Sequence, residues 1–129
     1  MFNWRSDKAD QTDPLVLDET YLKRLAGHLG EEVLRELLSD GLLELSDRIA
    51  SVQTHVARED IEALRKTMHD LAGMAGHLGL SGMSSAAAQA ERDLREPNTS
   101  FDAIARTVTE PAPTAIAALR DFLDGTGTD

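Results

Sequence analysis

The sequence predicts an all-α protein: an antiparallel up-down four-helix bundle with an additional short N-terminal helix and a Pro-interrupted last helix. Leu and Ala dominate the composition, in which apolar residues make up 41% and aromatic residues only 4%. Few runs of Val, Ile, Tyr or Thr show the period of two that a half-buried strand requires. Several segments instead repeat apolar residues at steps of three and four, the spacing of one helix face. Helices of this kind bury one face each in a shared core.

The chain length of 129 residues is that of one ordinary domain with one hydrophobic core. Residues 1–14 are polar and charged, and we predict that they form a flexible leader. Residues 15–124 carry the helical patterns and are predicted to form the bundle, whereas residues 125–129 form a frayed tail.

The first three predicted helices have recognisable ends. Asp18 is predicted to cap the first helix, which ends near Gly30. The second helix covers residues 31–57, and the third begins at Asp60 or a neighbour and ends near Gly79. The third helix is the most regular, because its apolar residues follow an unbroken 3-4-3-4-3 spacing that is typical of a bundle seam. These residues are Ile61, Leu64, Met68, Leu71, Ala75 and Leu78.

Prolines divide the second half of the chain. A fourth helix is predicted from Ser81 to Glu96, where Pro97 stops it. Pro111 and Pro113 interrupt the last segment, and both cannot lie in the interior of a regular helix. We therefore expect either two short helices or one sharply kinked helix there. The predicted core of the bundle includes Leu38, Leu45, Ile49, Leu64, Met68, Leu71, Ala75 and Leu78.

Charge and composition limit the classes of partner. The formal net charge of −10 repels a phosphate backbone, so we expect no nucleic acid. The chain contains no Cys, which excludes disulfides and thiolate metal sites and fits the reducing cytoplasm. It shows neither a signal-peptide core at its start nor an apolar stretch near the ~18 residues of a membrane span. We therefore expect a cytoplasmic protein that does not contact a membrane. Its expected oligomeric state is a monomer.

One histidine lies off the seam of the third helix. His69 follows the seam residue Met68 and turns toward the outer face of the helix. Residues three, four and seven positions away are its neighbours on that face. The neighbours before His69, which are Arg65 and Lys66, are basic. The neighbours after it carry almost no side chain, and these are Ala72, Gly73 and Gly76.

Gly73 and Gly76 lie inside the best-patterned helix of the chain, where each Gly costs about 0.5–1 kcal/mol relative to Ala. Two explanations stay open at this point: close approach of a neighbouring helix, or access of a partner to His69. Most surface histidines are solvated and have no role, but the glycines favour a function for this one.

An imidazole at this position suits nucleophilic chemistry. A free imidazole is largely unprotonated at cytoplasmic pH, so it can attack an activated phosphoryl group and form a phosphoramidate that is later passed on. Phosphoryl transfer depends mostly on positioning and electrostatics. A small module can therefore leave Mg²⁺ and the acidic pocket that binds it to its partner, and we expect no cofactor in this chain.

The segment His-Asp-Leu-Ala-Gly-Met-Ala-Gly-His-Leu-Gly at residues 69–79 resembles the signature of histidine-containing phosphotransfer (HPt) domains, His-x-Leu-Lys-Gly-Ser-x-x-x-Leu-Gly. The resemblance extends from about Leu17 to Leu123 and includes the order of the helices. It implies that the protein is a phosphocarrier rather than an enzyme. The phosphocarrier would hold a phosphoryl group on His69 and pass it between receiver-domain aspartates of a two-component system. The implied partners are a response-regulator receiver domain and a hybrid sensor histidine kinase. The residues implied in partner binding are Arg65, Lys66, Ala72, Gly73, Gly76 and His77.

Ala72 departs from the family pattern, which commonly has Lys at this position. Lys66, one turn before His69, or Arg65 is expected to supply the missing cation. Two alternatives stay open. One is a degenerate HPt-like module that binds a receiver domain or kinase without carrying phosphate. The other is a structural or metal-binding bundle of unrelated function, although we predict no metal site among the four histidines.

Overall fold

The structure, a computed structural model, describes residues 13–126 of the chain. Within that range it contains six helices and no strand, so the all-α prediction is confirmed. Residues 1–12 of the predicted leader and residues 127–129 of the predicted tail lie outside the described residues. The helices are α1 (Glu19–Leu29), α2 (Glu31–Ala57), α3 (Ile61–His77), α4 (Ser81–Asp93), α5 (Phe101–Thr109) and α6 (Ala112–Thr126).

Polar side chains cap the first turns of three helices. The carboxylate of Asp18 accepts a hydrogen bond from the backbone N–H of Tyr21 at 3.0 Å, so the predicted cap of α1 is confirmed. Asp60 accepts from the N–H of Ala63 at 3.1 Å and caps α3 in the same way. The hydroxyl of Ser100 accepts a hydrogen bond from the N–H of Ala103 and caps α5. These caps determine where α1, α3 and α5 begin.

A Schellman turn at Gly79 ends α3. The N–H of Leu80 donates to the carbonyl of Ala75 at 2.8 Å, and the N–H of Gly79 donates to that of Gly76 at 3.2 Å. Gly79 has a φ of +79° and is buried against α1, where an added Cβ would lie 3.1 Å from Cγ of Leu22. The turn therefore requires glycine for its backbone conformation and for its lack of a side chain.

Prolines determine the ends of the later helices. α4 ends at Asp93, three residues before the end predicted at Glu96. Pro97 disfavours helical backbone in the residue before it, so Glu96 does not continue the helix. The last segment forms two helices, which excludes the single kinked helix that the sequence had left open. Pro111 lies between them, and Pro113 lies in the first turn of α6, where a missing N–H removes no intrahelical hydrogen bond.

The core forms around α2 and α3. α3 contacts both α2 and α4, and α2 also contacts α1, α5 and α6. The predicted core is confirmed at seven of its eight positions, whereas Ile49 is only partly buried and packs against the core. The antiparallel up-down order of the helices stays a prediction.

We expect the Gly79→Ala substitution to destabilise the protein by about 1–2 kcal/mol, because a left-handed Ala costs roughly that much and its Cβ would crowd Leu22. Gly27→Ala is the matched control, since an added Cβ at this helical glycine meets nothing within 4 Å. It should raise stability by up to about 1 kcal/mol through helix propensity. Urea unfolding measures both free energies, and equal stability of the two variants would contradict this role of Gly79.

Candidate functional site

His69 lies on the exposed face of α3. Its side chain is 73% exposed, whereas Met68, the residue before it, is fully buried. Successive side chains of an α-helix point in directions about 100° apart, so one helix supplies both the buried seam and the outward histidine. The histidine that the sequence singles out is therefore accessible to a partner.

Glu91 of α4 is the polar partner of His69. Its Oε1 lies 3.3 Å from Nδ1 of the imidazole, and its side chain is only 21% exposed. A carboxylate accepts hydrogen bonds and cannot donate them, so in a neutral ring this contact favours the proton on Nδ1. Nε2 lies on a different side of the ring from Nδ1 and therefore points away from Glu91. The contact thus favours the tautomer in which Nε2 carries the lone pair.

Close packing of α4 on α3 brings Glu91 to this position. Ser84 of α4 donates a hydrogen bond to the carbonyl of Ala72 at 2.7 Å. An added Cβ on Gly76 would lie 3.4 Å from the same hydroxyl oxygen. Small residues on the two helices therefore allow a close approach. Arg95, one turn after Glu91, places Nη2 at 3.4 Å from the second carboxylate oxygen and so holds the carboxylate from the other side.

Two shallow depressions border His69, and the imidazole lines both of them. The first, here called the α4-side depression, extends toward α4, and the second, the α2-side depression, extends toward α2. The α4-side depression is lined by Glu62, Arg65, Lys66 and Glu91. The α2-side depression is lined by Glu44, Arg48, Asp70, Gly73, Met74 and His77.

The basic residues predicted beside His69 lie in the α4-side depression. Arg65 places Nη1 at 2.8 Å from the carboxylate of Glu62, while its Nε is buried and has no partner among the described residues. Lys66 is exposed. The structure thus brings both cations next to the imidazole, but Glu62 offsets the charge of Arg65.

The two glycines after His69 have different surroundings. An added Cβ at Gly73 would meet nothing within 4 Å, so helix packing does not explain this glycine. Gly76 faces Ser84, where an added Cβ would come into van der Waals contact with the hydroxyl at 3.4 Å. Ala72 is partly buried and packs against the core. A neighbouring helix therefore borders Gly76, whereas Gly73 borders open space beside the histidine.

An apolar groove continues from the α2-side depression. It is lined mainly by Tyr21, Leu25 and Leu29 of α1, Leu37 of α2, and Met74 and His77 of α3. Leu29 is 41% exposed and Leu37 is 45% exposed. These two leucines keep part of the groove apolar and accessible from solvent. His77, expected in the partner-binding face, lies where the groove and the depression meet.

Three charged residues near His69 were missed by the sequence analysis. They are Glu91 and Arg95, described above, and Arg48 of α2, whose Nε lies 3.7 Å from Oδ2 of Asp70. Helical spacing around His69 finds only neighbours on α3, so it cannot find side chains from other helices. The one available signal was that Glu91 follows the apolar position Ala90 and so borders the buried face of α4.

Two further histidines, His28 and His55, do not line this site. His28 is exposed near the end of α1, and His55 is partly buried near the end of α2. Within residues 13–126 no three His, Cys, Asp or Glu side chains are grouped so that they could hold a metal ion. No helix in that described range is long and apolar enough to cross a membrane.

An all-helical bundle that presents one exposed histidine beside an open glycine has the features of a histidine phosphotransfer module. The chain belongs to the Hpt domain family, whose match covers residues 36–126 and so more than half of the sequence. Hpt domains are phosphocarriers of phosphorelays rather than enzymes, and they interact with receiver domains and kinases. None of the curated proteins and none of the solved structures compared with the chain matches it.

The Glu91→Ala variant tests whether this carboxylate fixes the tautomer of His69. Removing the acceptor at Nδ1 should move the ring proton to Nε2 in a measurable fraction of molecules, because nothing else in the described contacts of the ring favours Nδ1–H. ¹⁵N NMR of the imidazole distinguishes the two tautomers. Glu96→Ala, which removes an exposed carboxylate beyond the end of α4, is the control. An unchanged tautomer in Glu91→Ala would show that Glu91 does not orient the ring.

Proposed function

We propose that this chain is a phosphorelay intermediate that carries a phosphoryl group on Nε2 of His69. It exchanges this group with the aspartates of receiver domains, and a hybrid sensor histidine kinase is the source of phosphate. The observation that carries the proposal is the exposed imidazole whose Nδ1 contacts Glu91 at 3.3 Å. In a neutral imidazole this contact favours the tautomer with an unprotonated Nε2, which supports a role of that atom as the nucleophile.

The transfer step involves one bond made and one broken. Nε2 of His69 forms a bond to phosphorus while the acyl phosphate O–P bond of the receiver aspartate breaks, and the aspartate leaves as a carboxylate. The ring keeps its proton on Nδ1 and becomes positive, and the carboxylate of Glu91 balances that charge. Mg²⁺ in the receiver would neutralise charge on the transferred group, so this chain needs no cofactor of its own.

The partner-binding face of this proposal includes the α2-side depression and the apolar groove. Gly73 leaves room for the partner beside the imidazole. Met74 and His77 line both the depression and the groove, so a receiver domain seated over His69 would also cover the groove. The exposed Leu29 and Leu37 would then be buried in the complex, which favours association.

Ala72 is the observation that favours a second candidate function. The usual lysine of the family is missing, and the methyl group that replaces it packs partly against the core. A degenerate module would bind the receiver through the same face and would carry no phosphate. The two candidates differ in one measurable property, which is whether His69 becomes covalently phosphorylated.

We expect His69→Gln to abolish transferable phosphate and to leave the fold intact, because the side chain is exposed and contributes nothing to the core. The measurement is incubation with a phosphorylated receiver domain, followed by detection of acid-labile, alkali-stable label. His77→Gln and His28→Gln are the controls, and transfer should stay within a few-fold of wild type in both. Label retained in the His69 variant would mean that another histidine accepts the phosphate. Receiver binding without label in the wild type would favour the degenerate module.

Gly73→Leu should block receiver docking without destabilising the protein. The leucine side chain would fill the open space next to His69, while helix propensity would raise stability by up to about 1 kcal/mol. Transfer rate and melting temperature are both measured. Gly27→Leu, at another helical glycine with nothing within 4 Å, is the matched control and should affect stability alone. A large loss of stability in Gly73→Leu would mean that packing, rather than access, requires this glycine.

A further inference from the structure

The direction of Nε2 determines which side chains can meet a phosphoryl group on His69. Nδ1 faces Glu91, so a group bound to Nε2 extends away from α4. The phosphoryl group would therefore point away from the α4-side depression, which contains Glu91. The α2-side depression is also lined by His69 and contains no residue of α4, so of the two depressions it is the one that this group would approach.

The cation that lines the α2-side depression is Arg48 of α2. Its Nε lies 3.7 Å from Oδ2 of Asp70, and the two side chains are 44% and 32% exposed. At that distance the pair is not a well-formed hydrogen bond, and exposed pairs of this kind are weak. His69 and Asp70 line the same depression as Arg48, so the pair keeps the guanidinium in the depression that the imidazole borders.

A phosphoryl group is a better partner for Arg48 than this carboxylate. It carries nearly two negative charges and has three acceptor oxygens, which suit the planar fork of a guanidinium. The cations on the other side of His69 are less suitable. Arg65 is already bound to Glu62 at 2.8 Å, and Lys66 lies with Glu62 and Glu91 in the α4-side depression.

We infer that Arg48 binds the phosphoryl group on His69, in place of the lysine that Ala72 replaces, and that Asp70 holds Arg48 beside the imidazole until phosphorylation. The inference rests on the proposed function, because it requires a phosphoryl group on His69. It assigns the missing cation to α2, whereas helical spacing had pointed to Lys66 or Arg65 on α3 itself.

The test uses the full chain and a small phosphate donor, so it does not depend on the identity of the partner. Potassium phosphoramidate transfers its phosphoryl group to an imidazole nitrogen as its own P–N bond breaks and ammonia leaves. After the donor is removed, ³¹P NMR follows the loss of phosphohistidine with time. The His69→Gln variant measures label on other histidines, which is subtracted. Thermal unfolding of each variant confirms that it is folded.

We expect Arg48→Gln to shorten the lifetime of the phosphohistidine about twofold to fivefold, the range that an exposed charge pair gives. The cation stabilises the dianionic phosphoryl group more than the loose transition state, in which that charge is spread. Arg48→Lys should restore part of the lifetime. Lys66→Gln removes the same unit of charge from the α4-side depression and should have a smaller effect. High salt should reduce the difference between wild type and Arg48→Gln.

Asp70→Asn tests the second half of the inference. Releasing Arg48 from its carboxylate should lengthen the lifetime, and this gain should disappear in the Arg48→Gln, Asp70→Asn double variant. If Asp70→Asn lengthens the phosphohistidine lifetime equally with and without Arg48, Asp70 acts only by repelling the phosphoryl group. That result would overturn the role given to the pair. If Arg48→Gln matches wild type, or if Lys66→Gln has the larger effect, Arg48 is not the cation, although His69 still carries phosphate. If wild type and His69→Gln take up equal label, the proposed function fails as well.

Discussion

The buried seam of α3 determines the position of the groups that α3 contributes to the site. Leu64, Met68 and Leu71 are almost fully buried, and burial of a side chain of this size contributes on the order of 1.5–3 kcal/mol. Rotation of α3 about its axis would expose part of this seam and lose several such contributions together. The helix therefore has one favourable orientation, and in that orientation His69 faces solvent while Gly73 lies next to it on the same exposed face.

Packing between helices then determines the chemistry of the imidazole. An exposed histidine on an isolated helix would populate both tautomers and many ring orientations. The small residues Ala72, Gly76 and Ser84 let α4 approach α3, and this approach places Glu91 next to Nδ1. Small residues bury less apolar area than leucine would, so this interface gives up some hydrophobic stabilisation. What it gains is a defined position for a carboxylate that comes from a different helix.

The parts of the fold and the site that depend on a single helix could be predicted from the sequence. The spacing of apolar residues in α3 is visible in the chain itself, and it places His69 outward without reference to any other element. The break between α5 and α6 was likewise a local property of Pro111 and Pro113. The end of α4 was predicted too late because the apolar pattern continues to Leu94, whereas Pro97 restricts the backbone before it.

The parts that depend on how helices pack could not be predicted in this way. Glu91 is twenty-two residues after His69 and Arg48 is twenty-one before it, and no periodic pattern relates residues across a turn between helices. The two glycines looked equivalent for the same reason. Only the position of α4 separates Gly76, which borders Ser84, from Gly73, which borders open space.

The arrangement of charges around the imidazole explains how a chain with a net charge of −10 could accommodate a further anion. Screening limits the reach of exposed charges to about 8–10 Å at physiological salt, so the nearest side chains matter more than the total. A phosphorylated imidazole with a proton on Nδ1 is positive at the ring and negative at the phosphoryl group. Glu91 lies on the Nδ1 side and Arg48 lines the α2-side depression, which contains no residue of α4, so the two side chains match this pattern. If the cation comes from α2 rather than from position 72, stabilisation of the phosphoryl group depends on the packing of α2 against α3. A substitution in that interface, far from the imidazole, would then change the lifetime of the phosphohistidine without altering any residue that contacts it.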